Sequence, residues 1–327
     1  MEIDNIKISV LFLTFNQAQY IKETIKSCLN QNPLPFEIII SDDCSTDGTV
    51  EIIMSFQANY PNIIKPIFNK QNLGIYNNLN NAIRYVQGDL LISIGGDDLL
   101  APNAIKSIYN ILKKEENVDI ESLCIIGNES QLLKNGTYKI MDHYKIKDLV
   151  PFKVAIRDIS FLRAGRALSV QLAKNIQPYC QYGIVADGER ELRIAHNVKK
   201  YIFIDDLISI YRIGSGITSK LNMKQYSESM KTYIDTINPS NYPEMDKKDI
   251  RFIKYKKSYI NYFCSKTYFE LIKNYFIMLY YTIINFNNFS YNTSFVRKIR
   301  YLIPFYSNIS LKIKKNTKGL LLTLLSK

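Results

Sequence analysis

Across the first 126 residues, short apolar runs alternate with amphipathic stretches, and this alternation restricts the fold more than any other feature of the chain. The runs are residues 7–13 (KISVLFL), 36–40 (FEIII), 63–68, 89–94 (DLLISI) and 122–126, each of strand length and rich in β-branched residues. Between them, residues 17–31 carry Ile21, Ile25, Cys28 and Leu29 at helical spacing. Further helices are expected through Val50, Ile53 and Met54, over 76–86, and over 102–113. Asp47 is expected to cap the second helix, and Pro102 to sit in the first turn of the fourth, where its missing N–H costs nothing. Strands alternating with helices imply right-handed βαβ units and a mainly parallel α/β sheet. Such sheets bind ligands beyond the carboxyl ends of their strands. Three acid-bearing segments are expected to follow a strand and to share one edge of the sheet: Asp42-Asp43, Asp97-Asp98 and the region of Asp187.

After residue 126 the pattern weakens. Residues 135–178 show no clear period, 189–196 read as a short helix, and 201–204 and 207–211 as strands. The charge is unevenly placed. Sixteen Lys and Arg face two acids, Asp249 and Glu270, between residues 247 and 327, so this tail exceeds the net charge of +12 carried by the whole chain. The tail, 221–327, forms a basic, aromatic-rich helical extension to a first domain of residues 1–220. Its apolar run YFIMLYYTIINF (275–286) is shorter than the roughly 20 residues that span a bilayer. Aromatic stretches interleaved with lysines suit helices lying on an anionic membrane, or equally helices packed on the protein or on a second copy in a homodimer. No nucleic-acid motif accompanies the charge, so nucleic acid is not an expected partner.

Five scattered cysteines without a C-x-x-C pair argue against a disulfide framework and a zinc site, and two histidines leave little for a histidine-based centre. No basic segment followed by an apolar one opens the chain, which suggests the cytoplasm, or the inner face of the membrane if the tail docks there. The stretch ISIGGDDLLAP (92–102) poses the sharpest local question. A tight turn explains its glycines, and a metal site explains its acids.

Several segments, taken in order, resemble family 2 glycosyltransferases of the GT-A fold, Rossmann-like with a sheet flanked by helices. They are Thr14-Phe15-Asn16, Leu29-Asn30-Gln31, Asp42-Asp43-Cys44-Ser45-Thr46-Asp47-Gly48-Thr49, NLGIYNN (72–78), GDLLISIGGDDLLAP, ADGERELRIAHN and YRIGSGITS. The resemblance covers about residues 6–220. It implies transfer of a sugar from a nucleotide diphosphate, UDP for preference, to a glycan or lipid-linked acceptor, with inversion and with Mn²⁺ or Mg²⁺. Synthesis of a cell-surface polysaccharide is the implied setting.

The resemblance also distributes roles. Thr14, Phe15, Asn16, Asn72, Gly74, Gly96 and Arg212 fall on the donor side. Asp43 matches the acid that accepts a hydrogen bond from the base. Asp97 matches the second acid of Asp-x-Asp, the metal ligand, and Asp98, Arg163, Arg166 and Arg193 fall on the acceptor side. Asp187 stands in the slot of the general base, with Glu189 as the alternative; a helix cap with a first-turn Glu would produce the same letters. Gly95 replaces the first acid of Asp-x-Asp, Ala186 replaces a Glu, and Ile213-Gly214 stand where many relatives carry a histidine. These departures keep open a catalytically silent nucleotide-sugar-binding scaffold. A nucleotidyltransferase would share the sheet and the metal, but TFNQAQY lacks its Gly-rich basic loop.

Overall fold

A computed structural model describes residues 5–141, 165–179, 187–215, 228, 231, 234–235, 237–265 and 267–284. The chain separates into two units, Met1–Tyr233 and Ile234–Lys327.

The first unit alternates as the apolar runs require. Its elements begin β1 (Ile8–Thr14), α1 (Ala18–Leu29), β2 (Glu37–Asp42), α2 (Thr49–Asn59), β3 (Ile64–Phe68), α3 (Ile75–Ile83), β4 (Leu90–Gly95), β5 (Leu99–Leu100) and α4 (Ala104–Leu112). They continue with β6 (Leu123–Leu132), β7 (Tyr138–Met141), β8 (Arg166–Ser169), α5 (Val170–Asn175), α6 (Asp187–Asn197) and β9 (Lys200–Arg212). One sheet runs in the order β3-β2-β1-β4-β8-β6-β9-β5, with β7 on β6. The expected parallel pairing holds for β3-β2-β1-β4. Beyond β4 the sheet is mixed: β8 lies antiparallel to both β4 and β6, while β6 and β9 pair in parallel. Buried on both faces, β1 and β2 read as continuous apolar runs, as central parallel strands should. Ile8, Val10 and Phe12 meet Ile21, Ile25 and Cys28 of α1 in the main core.

Four local expectations change. The N-cap of α2 is Gly48, whereas the Asp47 carboxylate accepts from the backbone N–H of Thr49 and from that of Ala18 at the start of α1, tying the two helix entrances together. Pro102 lies in the turn before α4, whose N-cap is Asn103. The strand expected at 122–126 extends to Leu132, because β9 pairs along its whole length. The two strands expected at 201–204 and 207–211 are one, β9, with register shifts opposite Ile126, Asn128 and Glu129. The exposed pair Asp205-Asp206 that interrupts the apolar pattern falls at this irregularity.

Gln31, in the Leu-x-Gln segment, is a buried cross-link. Its amide donates to the carbonyls of Ser27 and Ala101, and its Oε1 accepts from the N–H of Ile105 at the start of α4. The second unit contains α7 (Lys247–Cys264) and α8 (Tyr268–Ile284), packed on one another. Among the described residues, no helix is long and apolar enough to cross a membrane.

Replacing Gln31 by Leu keeps the volume but strands buried carbonyls, so the free energy of unfolding should fall by about 1–3 kcal/mol. Urea titration of the two proteins measures this; equal midpoints and slopes would show that the cross-link contributes nothing.

Candidate active site at the carboxyl edge of the sheet

The parallel register sets Thr14 beside Asp42 and Leu13 beside Gly95, so the loops leaving β1, β2 and β4 emerge together. Two backbone bonds continue the pairing into the loops: Asp43 N–H donates to Thr14 O, and Gly96 N–H to Leu13 O, both at 2.9 Å. Two of the three acid-bearing segments therefore share this edge. The third opens α6 at Asp187, whose side chain lies outside the described residues, as do residues 180–186 and Arg163.

Each acid of the β2 loop has a different task. Asp42 accepts from the N–H and hydroxyl of Ser45 and so forms the turn. The hydroxyl of Ser45 also accepts from Asn16 N–H, and Asn16 Oδ1 accepts from Thr46 N–H, which stitches the β1 loop to the β2 loop. Asn16 takes a φ of +51°, which asparagine tolerates better than bulkier residues. Phe15 beside it is exposed. Asp43 is buried, its Oδ1 accepting from Asn69 Nδ2 and Leu73 N–H and its Oδ2 from Gly74 N–H. The same Gly74 N–H reaches Asn72 Oδ1, and Gly74 adopts a φ of +78°. Asp43 thus organises the 69–74 loop while Oδ2 keeps acceptor capacity.

The GGDD segment is both a turn and a buried acidic pair. Asp98 N–H donates to Gly95 O, closing the turn, and the Thr24 hydroxyl lies 2.8 Å from both Gly96 O and Asp98 O. Arg212, at the end of β9, clamps it. Its backbone N–H donates to Asp98 Oδ1, its Nε to Asp97 O, and its outer nitrogen to Glu23 of α1, with the guanidinium 4.9 Å from the Tyr20 ring centre. Burial, then the neighbouring Asp97 and, to a smaller extent, Glu129, push the Asp98 carboxyl up to about 7, against the pull of the Arg212 and Gly95 N–H groups. Asp97 differs: the residue is 7% exposed, and among the described residues none donates a hydrogen bond to its carboxylate. A buried carboxylate without a donor and beside a second acid is costly unless a cation or ligand compensates it.

Gly95 now has a physical reason. A Cβ built there would lie 2.7 Å from Asp97 Oδ1 and 2.9 Å from Asp98 Oδ2, so the two carboxylates occupy the space that a side chain at 95 would need. Gly96 is equally confined, with Gln17 Oε1 at 2.3 Å and Thr14 Cβ at 2.8 Å from its virtual Cβ. Thr14 Oγ1 and Gln17 Oε1 are buried and have no hydrogen-bond partner among the described residues.

On α6, Glu189 is buried and ion-paired with Arg193, whose guanidinium also donates to the carbonyls of Ile176 and Pro178. Arg166 of β8 forms a two-bond pair with the fully buried Glu191. That pair holds α6 to the sheet, and the neighbouring carboxylate raises the Arg166 pKa against its burial. Reasoning from motifs passed over Glu23, Thr24, Asn69 and Glu191. Only Thr24 left a trace, as a polar residue on the buried stripe Ile21, Ile25, Cys28.

A divalent cation would find one carboxylate that has no donor among the described residues, Asp97, and a second, Asp98, beside it. Among the described residues no cluster of three or more His, Cys, Asp or Glu could hold a metal ion. A hard cation can take one or two protein carboxylates and fill its shell with phosphate and water.

A family model described as "Glycosyl transferase family 2" matches residues 9–167. The putative glycosyltransferase EpsE of Bacillus subtilis is 33% identical over 114 residues, covering 35% of this chain and 41% of that protein. The chain thus spans less than half the length of this relative. The structure of S. aureus TarS 1–349 in complex with UDP-GlcNAc superposes with a TM-score of 0.60 at 15% identity, covering 85% of this chain and 81% of that one. A mannosyltransferase, PcManGT of Pyrobaculum calidifontis, in complex with GDP-Man and Mn²⁺ gives 0.52 at 14% identity, covering 93% and 80%. At these identities the likeness shows the fold, which is GT-A.

Gly95→Ala forces a methyl group against two carboxylates and should destabilise the protein by about 1–3 kcal/mol, measured by chemical denaturation. An unchanged stability would mean that the acids are free to move away.

Proposed function

Since residues 9–167 belong to glycosyl transferase family 2, we propose that the chain transfers a sugar from a nucleotide diphosphate to a hydroxyl of a glycan or lipid-linked acceptor, with inversion, in the synthesis of a cell-surface polysaccharide. The observation that carries this reading is the Asp97 carboxylate, buried and without a donor among the described residues at the edge where the β1, β2 and β4 loops meet. In this reading the donor lies across those loops. Oδ2 of Asp43 accepts from a base N–H, the exposed Phe15 ring and the loop of Thr14 and Asn16 border the nucleoside, and Asn72, Gly74 and Gly96 supply close backbone. A neighbour that holds UDP-GlcNAc and another that holds GDP-Man share the fold, so the choice of base rests on Asp43 and its loop.

Mn²⁺ or Mg²⁺, when bound, neutralises the diphosphate as it becomes the leaving group. Asp97 would hold that cation, with Asp98 at its side. Arg212 acts by fixing the turn that carries both acids, since its guanidinium is already engaged by Asp97 O and Glu23. An inverting displacement also needs a base for the acceptor hydroxyl as it attacks the anomeric carbon. Asp187, the first residue of α6, takes that proton in our reading. Glu189 is the weaker candidate, because it is already engaged by Arg193. Arg166 and Arg193 serve the acceptor side through α6, both being held by protein oxygens, while Arg163 remains proposed from its place in the sequence alone.

A panel of UDP- and GDP-sugars with Mn²⁺, read out by donor hydrolysis and by calorimetric binding, tests the assignment. Asp187→Asn should retain donor affinity and lose turnover by about 10²–10⁴-fold. Failure of the wild type to bind any donor would overturn the enzymatic reading; donor binding without turnover would favour a scaffold.

Gly95→Asp recreates Asp-x-Asp in letters, yet it displaces Asp97 and Asp98. Donor affinity should therefore fall about tenfold or more, a loss of about 1.4 kcal/mol. A gain in affinity would show that the first acid had simply been lost.

A further inference from the structure

The α7–α8 hairpin presents charge and aromatic surface in a pattern that the sugar-transfer site does not use. Asn274 of α8 donates to Asn261 O and Ser265 Oγ, the Tyr275 ring lies 6.2 Å from that of Tyr262, and Met278 is fully buried, so these residues mark the inner side of α8. At about 100° per residue, Phe269, Phe276 and Tyr280 fall on the opposite side. They are 79%, 61% and 60% exposed, with Ile272 beside them at 41%. Lys273 lies on the same exposed side.

The acids of the hairpin are spent on helix starts. Asp246 caps α7 by accepting from Lys248 and Asp249 N–H, Asp249 is buried and returns a bond to Asp246 N–H, and Glu270 accepts from Thr267 N–H before α8. The exposed positions of α7 are instead basic, including Lys247, Lys248, Arg251 and Lys254. Exposed aromatic rings with lysines nearby, on a helix that is not long and apolar enough to cross a membrane, suit a helix lying in a lipid headgroup layer.

We propose that this hairpin docks on an anionic lipid surface. Phe269, Phe276 and Tyr280 enter the headgroup region, Lys273 meets lipid phosphate, and the α7 lysines add an attractive field. The inference is independent of sugar transfer, since vesicle binding is read without turnover.

The chain contains no tryptophan, so Phe276→Trp introduces a single reporter. Its emission should shift to the blue on adding vesicles with about one-third phosphatidylglycerol, and not with phosphatidylcholine alone. In flotation, the full chain should bind the anionic vesicles about tenfold better than the neutral ones, and less well at high salt. The triple variant Phe269→Ser, Phe276→Ser, Tyr280→Ser and the variant Lys247→Glu, Lys248→Glu, Lys254→Glu should each lose that binding, with circular dichroism and donor turnover in solution unchanged. No flotation of the wild type, no spectral shift, or flotation that survives the aromatic substitutions would overturn the proposal. A wild-type dimer that ignores vesicles and dissociates in the aromatic variant would do the same, assigning the surface to a second copy of the chain.

Discussion

Two adjacent carboxylates, Asp97 and Asp98, are carried into a buried turn, and much of the first unit is arranged around the electrostatic cost of keeping them there. The parallel register of β1 and β4 delivers the turn to the edge of the sheet. Thr24 lies against its carbonyls from α1, and Arg212 from β9 binds both its backbone and one carboxylate. Removing one of these supports would leave a charge or a carbonyl without its partner. Among the described residues Asp98 receives N–H donors while Asp97 receives none, and this difference separates a residue that builds the turn from one with capacity for a ligand.

The same division runs through the other loops. Asp42, Asp47, Asn16 and Gln31 look equally suited to binding, but their side chains are spent on backbone groups of neighbouring loops. Asp43 combines both tasks, since it holds the Leu73-Gly74 backbone and leaves one oxygen with room to accept. A run such as DDCSTDGT therefore encodes mostly the shape of a rim, with the chemistry concentrated in a few of its oxygens. The hairpin of the second unit shows the converse economy: its acids stay at the helix starts, and its exposed face is left to aromatic and basic side chains.

Much of the fold was legible because β1 to α4 follow local periodicity, in which burial imposes a period on neighbouring residues. Where the reading slipped, a distant partner was responsible. β6 outruns its apolar start because β9 pairs with it, and the break at Asp205-Asp206 is a register irregularity inside one strand. Asp47 and Pro102 each stand one residue before the N-cap of their helix, Gly48 and Asn103, since cap geometry depends on backbone angles that letters alone leave open.

By itself the sequence determined the alternating architecture, the family resemblance and the set of acids that gather at the strand ends, since each is written in short-range spacing. Only the tertiary structure decided why residue 95 is glycine, which acid lacks a donor among the described residues, and that Arg212 finds Glu23, 189 positions away. Those facts depend on which surfaces meet in space, and close approach of two side chains across a fold leaves no periodic trace in the chain that makes it.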